Sequence, residues 1–284
     1  YKFIFNLKDP YVIEMFKLMI PTLIGIFGYQ INEIVDNRFA TMLPAGTASA
    51  LNYASRLYLL PIGVFAISLS VVIFPTLSQA VVKNQKKRVK NTIQKGLNML
   101  AFLIIPSSTI LMGYAEQIVT LVYKRGNFSD KGVIITAGSL KFYALGLLFF
   151  STIHLLTRSH YVYKDRTLPV ISSFIAIFIN IILDFLLYKQ YRHIGLTVAT
   201  SFSAMINYLI LLISLNKRHI KINNLIYLKF LVLSLVISLA SFYISNMIKV
   251  SILGKFGILI NIAVFGLLYL AIWSVPIMLS KPKK

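Results

Sequence analysis

Long apolar runs alternate with short polar stretches along the whole chain. A helix needs about 20 mostly apolar residues to cross a bilayer, and eight runs meet that requirement. Their approximate limits are 17–42, 48–80, 92–114, 133–157, 168–188, 195–215, 227–248 and 256–279. The pattern predicts an all-α polytopic membrane protein with about eight transmembrane helices. Pro61, which lies inside the second run, is expected to kink it.

Composition supports this fold class. Of the 284 residues, 57% are hydrophobic and 13% are charged, and the mean hydropathy is +0.77. A soluble domain of this size is less apolar. The sequence has no cysteine, which excludes a disulfide framework and thiolate metal sites.

The distribution of positive charge indicates an orientation. The chain has 29 Lys and Arg residues against 8 Asp and Glu residues, and most of the basic ones fall in short gaps between apolar runs. With a cytoplasmic N-terminus, 19 of them lie on the cytoplasmic side and 7 on the opposite side. This bias predicts a multi-pass protein of the bacterial cell membrane with both termini of this segment cytoplasmic. The basic loops then face anionic lipid, and no nucleic-acid partner is expected.

Signatures of catalysis are missing from the sequence. It has no phosphate-binding loop, no HExxH or GxSxG motif and no cysteine nucleophile. The four histidines, His154, His160, His193 and His219, lack the spacing typical of metal ligands. The chain is therefore not expected to be an enzyme, and no catalytic residue, metal ion or cofactor is predicted.

Polar residues inside the first run are candidates for function, because a charge at the centre of a membrane helix costs about 2.5–3.5 kcal/mol. Gln30, Glu33, Asp36 and Asn37 repeat at intervals of three and four residues, so they can form one polar stripe on a helix. Such a stripe suggests the wall of an aqueous cavity. Alternatively, Asp36 and its neighbours mark the outer end of the span at the lipid headgroups, with Asp36 in a local salt bridge.

The second run carries Asn52 and Arg56, four residues apart on one helix face. Arginine keeps its charge and presents a planar fork of donors that suits phosphate oxygens. A phosphate-bearing substrate would explain its position. Alternatively, Arg56 neutralises Asp36 or Glu33 across the helix pair, or extends to the outer headgroups; these interpretations are compatible if the pair lies in a cavity.

Two other segments allow an expectation from pattern alone. Asn180 and Asp184, four residues apart in the fifth run, are expected to make interhelical hydrogen bonds rather than to bind substrate. Residues 116–132 either hold a short amphipathic helix on the outer surface or simply lead into the fourth span.

The second run also carries a recognisable motif. Residues 46–78 read GTASALNYASRLYLLPIGVFAISLSVVIFPTLS. This segment resembles a span of the MurJ (MviN) family, whose members read approximately A-L-x-Y-A-x-R-L, then P-x-G-x-F/L and then P-x-L-S. Further similarity to the family covers MIPTLIGIFGYQINEIVDNRFATML (19–43), YKRGNFSDKGVIITAGSLKFYALGL (123–147), RSHYVYKDRTLPVISSF (158–174) and IGLTVATSFSAMINYLILL (194–212). Within residues 158–174, His160 stands where the family usually has Phe.

The resemblance implies an architecture. The family belongs to the multidrug/oligosaccharidyl-lipid/polysaccharide exporter superfamily and has fourteen spans, arranged as two six-helix lobes and two extra helices. Residues 1–216 are then expected to form the second lobe, and residues 217–284 two additional helices with a cytoplasmic C-terminus. The chain begins with Tyr1 and is expected to be a piece of a longer protein, with the first lobe absent.

The resemblance also implies a function. Family members flip the undecaprenyl-diphosphate-linked peptidoglycan precursor, lipid II, from the inner to the outer leaflet by alternating access, which cell wall synthesis and cell shape require. Arg56 matches the family's cavity arginine and is expected to bind the diphosphate, while Asn52 hydrogen-bonds sugar or phosphate. Asp36 matches a position that is Asp or Asn, and it pairs with Arg56 or with an entering cation. The expected partners are the precursor, membrane lipids and cell wall synthases.

Two alternatives stay open at this point. The chain could belong to an exporter of another lipid-linked oligosaccharide or of a drug in the same superfamily. It could also be a fragment that does not transport, since the resemblance covers only the C-terminal portion of the family.

Overall fold

The computed structural model describes residues 9, 10, 12, 32–247 and 256–279. Within these residues every regular element is helical. The helices are α1 (32–41), α2 (Thr47–Pro61), a π-helical segment (Ile62–Ile67), α3 (Ser68–Val82), α4 (Lys86–Gly113), α5 (Ala115–Tyr123), α6 (Asp130–Val162), α7 (Thr167–Arg218), α8 (Asn224–Met247) and α9 (Phe256–Leu279).

The predicted fold class is confirmed. Six helical stretches in the described residues are long and apolar enough to cross a membrane. One of them, α7, is 52 residues long and breaks at Arg192, so it supplies two crossings. These stretches correspond to the last seven predicted runs. The first predicted run, 17–42, lies mostly outside the described residues, and only α1 represents it.

The break in α7 folds it into a helical hairpin. Arg192 has a φ of 50°, which non-glycine residues rarely adopt, and this ends the first half of the helix. The two halves then lie side by side, since Ser203 Oγ donates a hydrogen bond to Asn180 Oδ1 over 3.3 Å. Gly195 permits the tight return, because a Cβ at this position would lie 2.6 Å from the Leu187 carbonyl oxygen.

The second predicted run forms one 36-residue helical stretch, Thr47–Val82, whose helix type changes at its proline. Pro61 has no N–H to donate and ends α2, and the π-helical segment follows directly. Ser68 Oγ donates to the Gly63 carbonyl oxygen over 3.2 Å, which satisfies one of the backbone acceptors in this wider turn. The disturbance predicted at Pro61 therefore takes the form of a change in helical winding.

Helix α6 lies at the centre of the bundle and packs against α2, α4, α5 and α7. Its core-facing stripe includes the buried residues Leu140, Ala144, Leu147 and Leu155. Their intervals of four, three and eight residues keep them on one face of the helix. A second apolar cluster joins α8 to α9 and contains Ile237, Phe265, Tyr269 and Trp273. The large apolar side chains on the outer surface fit contact with lipid tails.

The loop before α6 contains the short helix α5, at the place where the sequence allowed for an amphipathic helix. This helix buries Ala115 and Val119, one turn apart. Ile118 is half-buried, whereas Val122 is exposed. The apolar face of α5 therefore packs mainly on the bundle.

Candidate functional site

A cavity of about 320 Å³ lies between α1, α2, α6 and α7. One wall is polar because α1 and α2 turn short polar side chains towards it: Asn32, Glu33, Asp36, Asn37, Asn52 and Ser55. Three members of the predicted polar stripe therefore line a cavity, and the fourth, Gln30, lies outside the described residues. The rest of the lining includes Tyr58 on α2 and Tyr143, Phe150 and His154 on α6.

Asn52 connects the two helices of the polar wall. Its Nδ2 donates to Asn37 Oδ1 over 3.2 Å and to the Ala48 carbonyl oxygen over 3.0 Å. The side chain remains exposed on the cavity side. Its side-chain amide oxygen Oδ1 is an acceptor and can receive a hydrogen bond from a polar ligand.

Arg56 lies one turn beyond Asn52 on α2, and it does not line the cavity. Its side chain is exposed, and its guanidinium lies within electrostatic range of the Tyr123 phenol. Among the residues that the structure describes, no salt bridge joins Arg56 to Asp36 or Glu33. The guanidinium is therefore not neutralised by the polar wall, and its expected role towards a diphosphate stays a prediction.

Asp36 has partners that spacing alone did not indicate. Asn180 Nδ2 donates to Asp36 Oδ1 over 3.2 Å and to Asp184 Oδ2 over 2.7 Å. Thr200 Oγ1 donates to Asp36 Oδ2 over 3.4 Å. These four residues, Asp36, Asn180, Asp184 and Thr200, are called the carboxyl cluster below. It joins α1 to both halves of the α7 hairpin.

The side-chain amide of Asn180 is oriented by hydrogen bonds on its acceptor side. Its carbonyl oxygen accepts from Asn32 Nδ2 over 3.2 Å and from Ser203 Oγ over 3.3 Å. Because its acceptor side is used in this way, its NH₂ group must point at the two carboxyl groups. The prediction of interhelical hydrogen bonds is confirmed for Asn180, which donates to Asp36 on α1, whereas the bond from Asn180 to Asp184 lies within one half of α7.

The carboxyl cluster places two acidic side chains next to each other, which determines which ions it can bind. The side chains of Asp36 and Asp184 touch each other. Asp184 Oδ1 is buried and accepts no hydrogen bond from a described donor. Two adjacent carboxylates repel unless a proton or a cation lies between them. Since oxygen ligands favour hard cations, the cluster can hold a proton or a cation such as Na⁺.

Two of the four histidines come together at the other end of α7. His160 and His219 lie on either side of Asp165, in a group that we name the histidine cluster. Spacing along the chain predicted no metal-ligand set among the histidines, and it gave no indication that this pair meets in three dimensions. Their separation along the chain hid the contact, which depends on the α6–α7 loop meeting the end of α7.

Asp165 is ionised in this setting. Burial alone would raise its pKa, but the hydrogen bonds from the His219 ring and the Leu168 backbone N–H, together with the proximity of both histidine rings, outweigh that effect. The pKa of Asp165 therefore lies below its usual value. A negative charge is thus fixed beside two imidazole rings.

Comparison with known proteins gives consistent matches. The family described as "Lipid II flippase MurJ" matches residues 1–265. The probable lipid II flippase MurJ of Vibrio cholerae is 37% identical over 200 residues, which cover 70% of this chain and 38% of that protein. A solved structure of the lipid II flippase MurJ in an inward closed conformation is similar with a TM-score of 0.80 and 31% identity. That match covers 97% of this chain and 56% of the other.

More distant structures share the fold alone. An outward-facing MATE family transporter of the MOP superfamily matches with a TM-score of 0.63 and 14% identity, over 88% of this chain and 62% of that one. The chain spans about two fifths of the Vibrio cholerae protein and about half of the MurJ structure.

Proposed function

The chain belongs to the MurJ family of lipid II flippases, and from that premise we propose that it supplies part of a transporter for lipid II. The transporter moves the undecaprenyl-diphosphate-linked peptidoglycan precursor from the inner to the outer leaflet by alternating access. The observation that carries the proposal is the polar-walled cavity inside a bundle of long apolar helices. Cell wall synthesis and cell shape depend on such a step.

The cavity suits one half of this substrate. The headgroup of a lipid-linked precursor is polar and carries a diphosphate, so moving it through a bilayer needs a hydrated path. The polyprenyl tail is apolar and can remain in lipid. Residues 1–216 act in this proposal as one six-helix lobe, and residues 217–284 as two additional helices beside it.

Arg56 is the proposed contact for the diphosphate. Its side chain is exposed and without a carboxylate partner in the described part of the chain, so its donors are available. A planar guanidinium can donate two parallel hydrogen bonds to phosphate oxygens. Asn52, one turn earlier, can bind a sugar or phosphate oxygen, and Glu33 completes the polar wall.

The carboxyl cluster is the proposed site of energy coupling. A cation or proton bound between Asp36 and Asp184 would hold α1 against the α7 hairpin, and its release would leave two carboxylates that repel each other. Occupancy of this cluster would thus bias the lobe between two arrangements. Both carboxyl groups lie at or beside the cavity, so ion binding and substrate binding can influence each other.

The proposed location is the bacterial cell membrane, with both termini of this segment in the cytoplasm and cell wall synthases as protein partners. The bias of 19 against 7 basic residues supports this orientation. Because the chain has no cysteine, single cysteines can report it. Asn127→Cys should react with a membrane-impermeant maleimide added to intact cells, and Asn84→Cys only after permeabilisation. The reverse pattern would invert the topology.

The substrate assignment is tested by complementation in bacteria depleted of their own lipid II flippase. The full-length chain, by which we mean a complete transporter that contains these 284 residues, is compared with its Arg56→Ala and Arg56→Lys variants. The readouts are growth and the amount of lipid II exposed on the outer leaflet. We expect Arg56→Ala to lower exposure ten-fold or more, since hydrogen bonds to charged groups contribute about 1.5–3 kcal/mol. Arg56→Lys should retain little activity, because the bidentate fork is lost.

Arg125→Ala is the matched control. Arg125 is also exposed, but it lies in the loop after α5 and its guanidinium donates to the Val122 carbonyl oxygen, so Arg125→Ala is expected to leave lipid II exposure unchanged. Failure of the inserted and stable parent chain to restore exposure would remove lipid II as substrate. An exporter of another lipid-linked oligosaccharide or of a drug would then be the better assignment.

A further inference from the structure

The histidine cluster is built from three separate segments of the chain. His160 lies in the last turn of α6, Asp165 in the loop between α6 and α7, and His219 directly after the end of α7. The cluster takes no part in the cavity, whose lining lies further along the α7 hairpin.

The distances in the cluster match those between ligands of one metal ion. Asp165 Oδ2 lies 3.5 Å from His160 Nδ1 and 3.2 Å from His219 Nε2. The three potential ligand atoms all lie within 4.8 Å of one another. In a tetrahedral zinc site with bonds of about 2.0–2.1 Å, neighbouring ligand atoms are about 3.3–3.4 Å apart. Small side-chain adjustments would therefore complete three positions of such a site.

The protonation state of His160 leaves a lone pair facing the carboxylate. Its ring is fully buried, and its Nε2 lies 3.1 Å from the Leu211 carbonyl oxygen, which can only accept a hydrogen bond. Nε2 therefore carries the proton. The other ring nitrogen, Nδ1, is buried and lies 3.5 Å from Asp165 Oδ2, at the outer limit of a hydrogen bond. A buried lone pair opposite a carboxylate oxygen is unfavourable unless a proton or a metal cation lies between them.

The surrounding contacts hold all three side chains in place. A backbone carbonyl that accepts from the second ring nitrogen, as Leu211 does for His160, is the usual support of a metal-binding histidine. The His219 ring stacks on Tyr163, with ring centroids 4.3 Å apart and planes 6° apart. Asp165 Oδ1 accepts from the Leu168 backbone N–H over 3.3 Å, which leaves Oδ2 directed at the histidines.

The surroundings of the cluster include one competing positive charge and a path for an ion from the solvent. Arg218 Nη1 lies 3.8 Å from Asp165 Oδ2 and competes with a cation for this oxygen. Its side chain is 60% exposed, so it can turn into solvent at little cost. The side chains of Asp165 and His219 remain partly exposed, at 14% and 17%, which gives an ion access from the aqueous side.

We propose that His160, Asp165 and His219 bind a divalent transition metal ion of the zinc class, which fastens the end of α6 to the end of α7. Two imidazole nitrogens and one carboxylate form a ligand set that favours zinc and its neighbours over calcium or magnesium. A water molecule would complete the fourth position. The site shares no residue with the lining of the cavity, so it is separate from the proposed transport path.

Binding of Co²⁺ tests the proposal directly, since this ion takes the place of zinc and reports tetrahedral coordination by its visible absorption. The full-length chain is purified in detergent with an affinity tag that contains no histidine. Titration with Co²⁺ should give one equivalent of bound ion with tetrahedral bands, displaced by Zn²⁺. Zn²⁺ should also raise the melting temperature of the protein.

Three variants separate the cluster from adventitious binding. His160→Phe and Asp165→Asn should each weaken Co²⁺ binding by at least about 100-fold and abolish the shift in melting temperature. His193→Phe, which removes a half-buried histidine at the far turn of α7, should leave both readouts unchanged. If His160→Phe does not fold, Asp165→Asn alone decides.

Two outcomes would overturn the proposal. Uptake of Co²⁺ by the parent chain that does not exceed uptake by Asp165→Asn would mean that no metal binds at the cluster. An equal loss in His193→Phe would mean that scattered histidines bind the ion. Neither result bears on lipid II transport, because the readouts are metal binding and thermal stability.

Discussion

The α7 hairpin connects two polar clusters in which buried acidic groups have different partners. In the carboxyl cluster, two acidic groups touch, and amide and hydroxyl groups of neighbouring helices surround them. In the histidine cluster, one carboxylate faces two imidazole rings, with Arg218 nearby. The first offers oxygen ligands inside the bundle, and the second offers mainly nitrogen ligands at its edge.

The difference teaches how each cluster should respond to ions. Oxygen donors favour protons and hard cations, whereas imidazole nitrogens favour transition metals. The carboxyl cluster adjoins the cavity and joins α1 to α7, so an ion there can affect transport. The histidine cluster joins the ends of α6 and α7, so an ion there should affect the stability of the lobe.

The largest expected effect follows removal of one carboxylate from the carboxyl cluster. Asp36→Asn keeps the shape of the side chain but removes the charge, so a cation or shared proton would lose its counter-charge. We expect lipid II exposure in the full-length chain to fall about 10- to 100-fold, which corresponds to a coupling free energy of about 1–3 kcal/mol. The response of transport to Na⁺ concentration and to pH should disappear as well.

Glu33→Gln is the control for Asp36→Asn. It removes a carboxylate from the same helix and the same cavity wall, but from a side chain outside the carboxyl cluster. The ion response should survive in this variant. An unchanged ion response in Asp36→Asn would refute coupling at the cluster.

A smaller effect is expected from a change in the hairpin itself. In Gly195→Ala, the new Cβ would lie 2.6 Å from the Leu187 carbonyl oxygen, and backbone atoms cannot yield as a flexible side chain does. We expect a loss of about 1–3 kcal/mol in the free energy of unfolding in detergent. Gly63→Ala, with nothing within 4 Å of its Cβ, should be close to neutral.

Gly195→Ala should also affect the two clusters differently. The strained turn lies beside the half of α7 that carries Thr200 and far from His219, so transport should decline while Co²⁺ binding persists. Unfolding at the same denaturant concentration as the parent would show that the two halves of α7 do not pack as described.

The smallest effect is expected from a carboxylate that belongs to neither cluster. Asp130 forms a salt bridge with Lys124 at the surface, where both side chains are largely exposed, at 81% and 43%. Asp130→Asn should change the free energy of unfolding by less than about 1 kcal/mol. This difference should shrink further at about 1 M salt, because screening weakens exposed pairs. A loss as large as that of Gly195→Ala would contradict the distinction between surface and cluster carboxylates.

Sequence alone predicted the spans closely, because a bilayer demands long apolar helices. The run predicted at 227–248 is observed as Asn224–Met247, and the run at 256–279 as Phe256–Leu279. The gap between two runs at 189–194 holds the break at Arg192. The π-helical segment after Pro61 was not predicted, since helical winding depends on which backbone partners the surrounding bundle leaves available.

The candidate site was predicted residue by residue, but not as an assembly. Asp36 and Asp184 were each identifiable as acids inside apolar runs, yet Asn180, which bonds to both of them, lies 144 positions from Asp36 in the sequence. Asp165 and His219 lie 54 positions apart, where the chain leaves the membrane. Polar residues are common at such places, so the sequence did not mark these two as candidates for a site. Pairing Arg56 with Asp36 or Glu33 was a plausible sequence hypothesis, but the described residues do not contain that contact.

The central claim, that this chain takes part in lipid II translocation, is tested most directly in proteoliposomes. The purified full-length chain is reconstituted with lipid II, and an added enzyme that cannot cross the membrane measures how much headgroup reaches the outside over time. Our account predicts that transfer exceeds that of protein-free vesicles and falls at least ten-fold with Arg56→Ala, while Arg125→Ala transfers normally. Transfer no faster than in protein-free vesicles, from a chain that is folded and inserted, would contradict it.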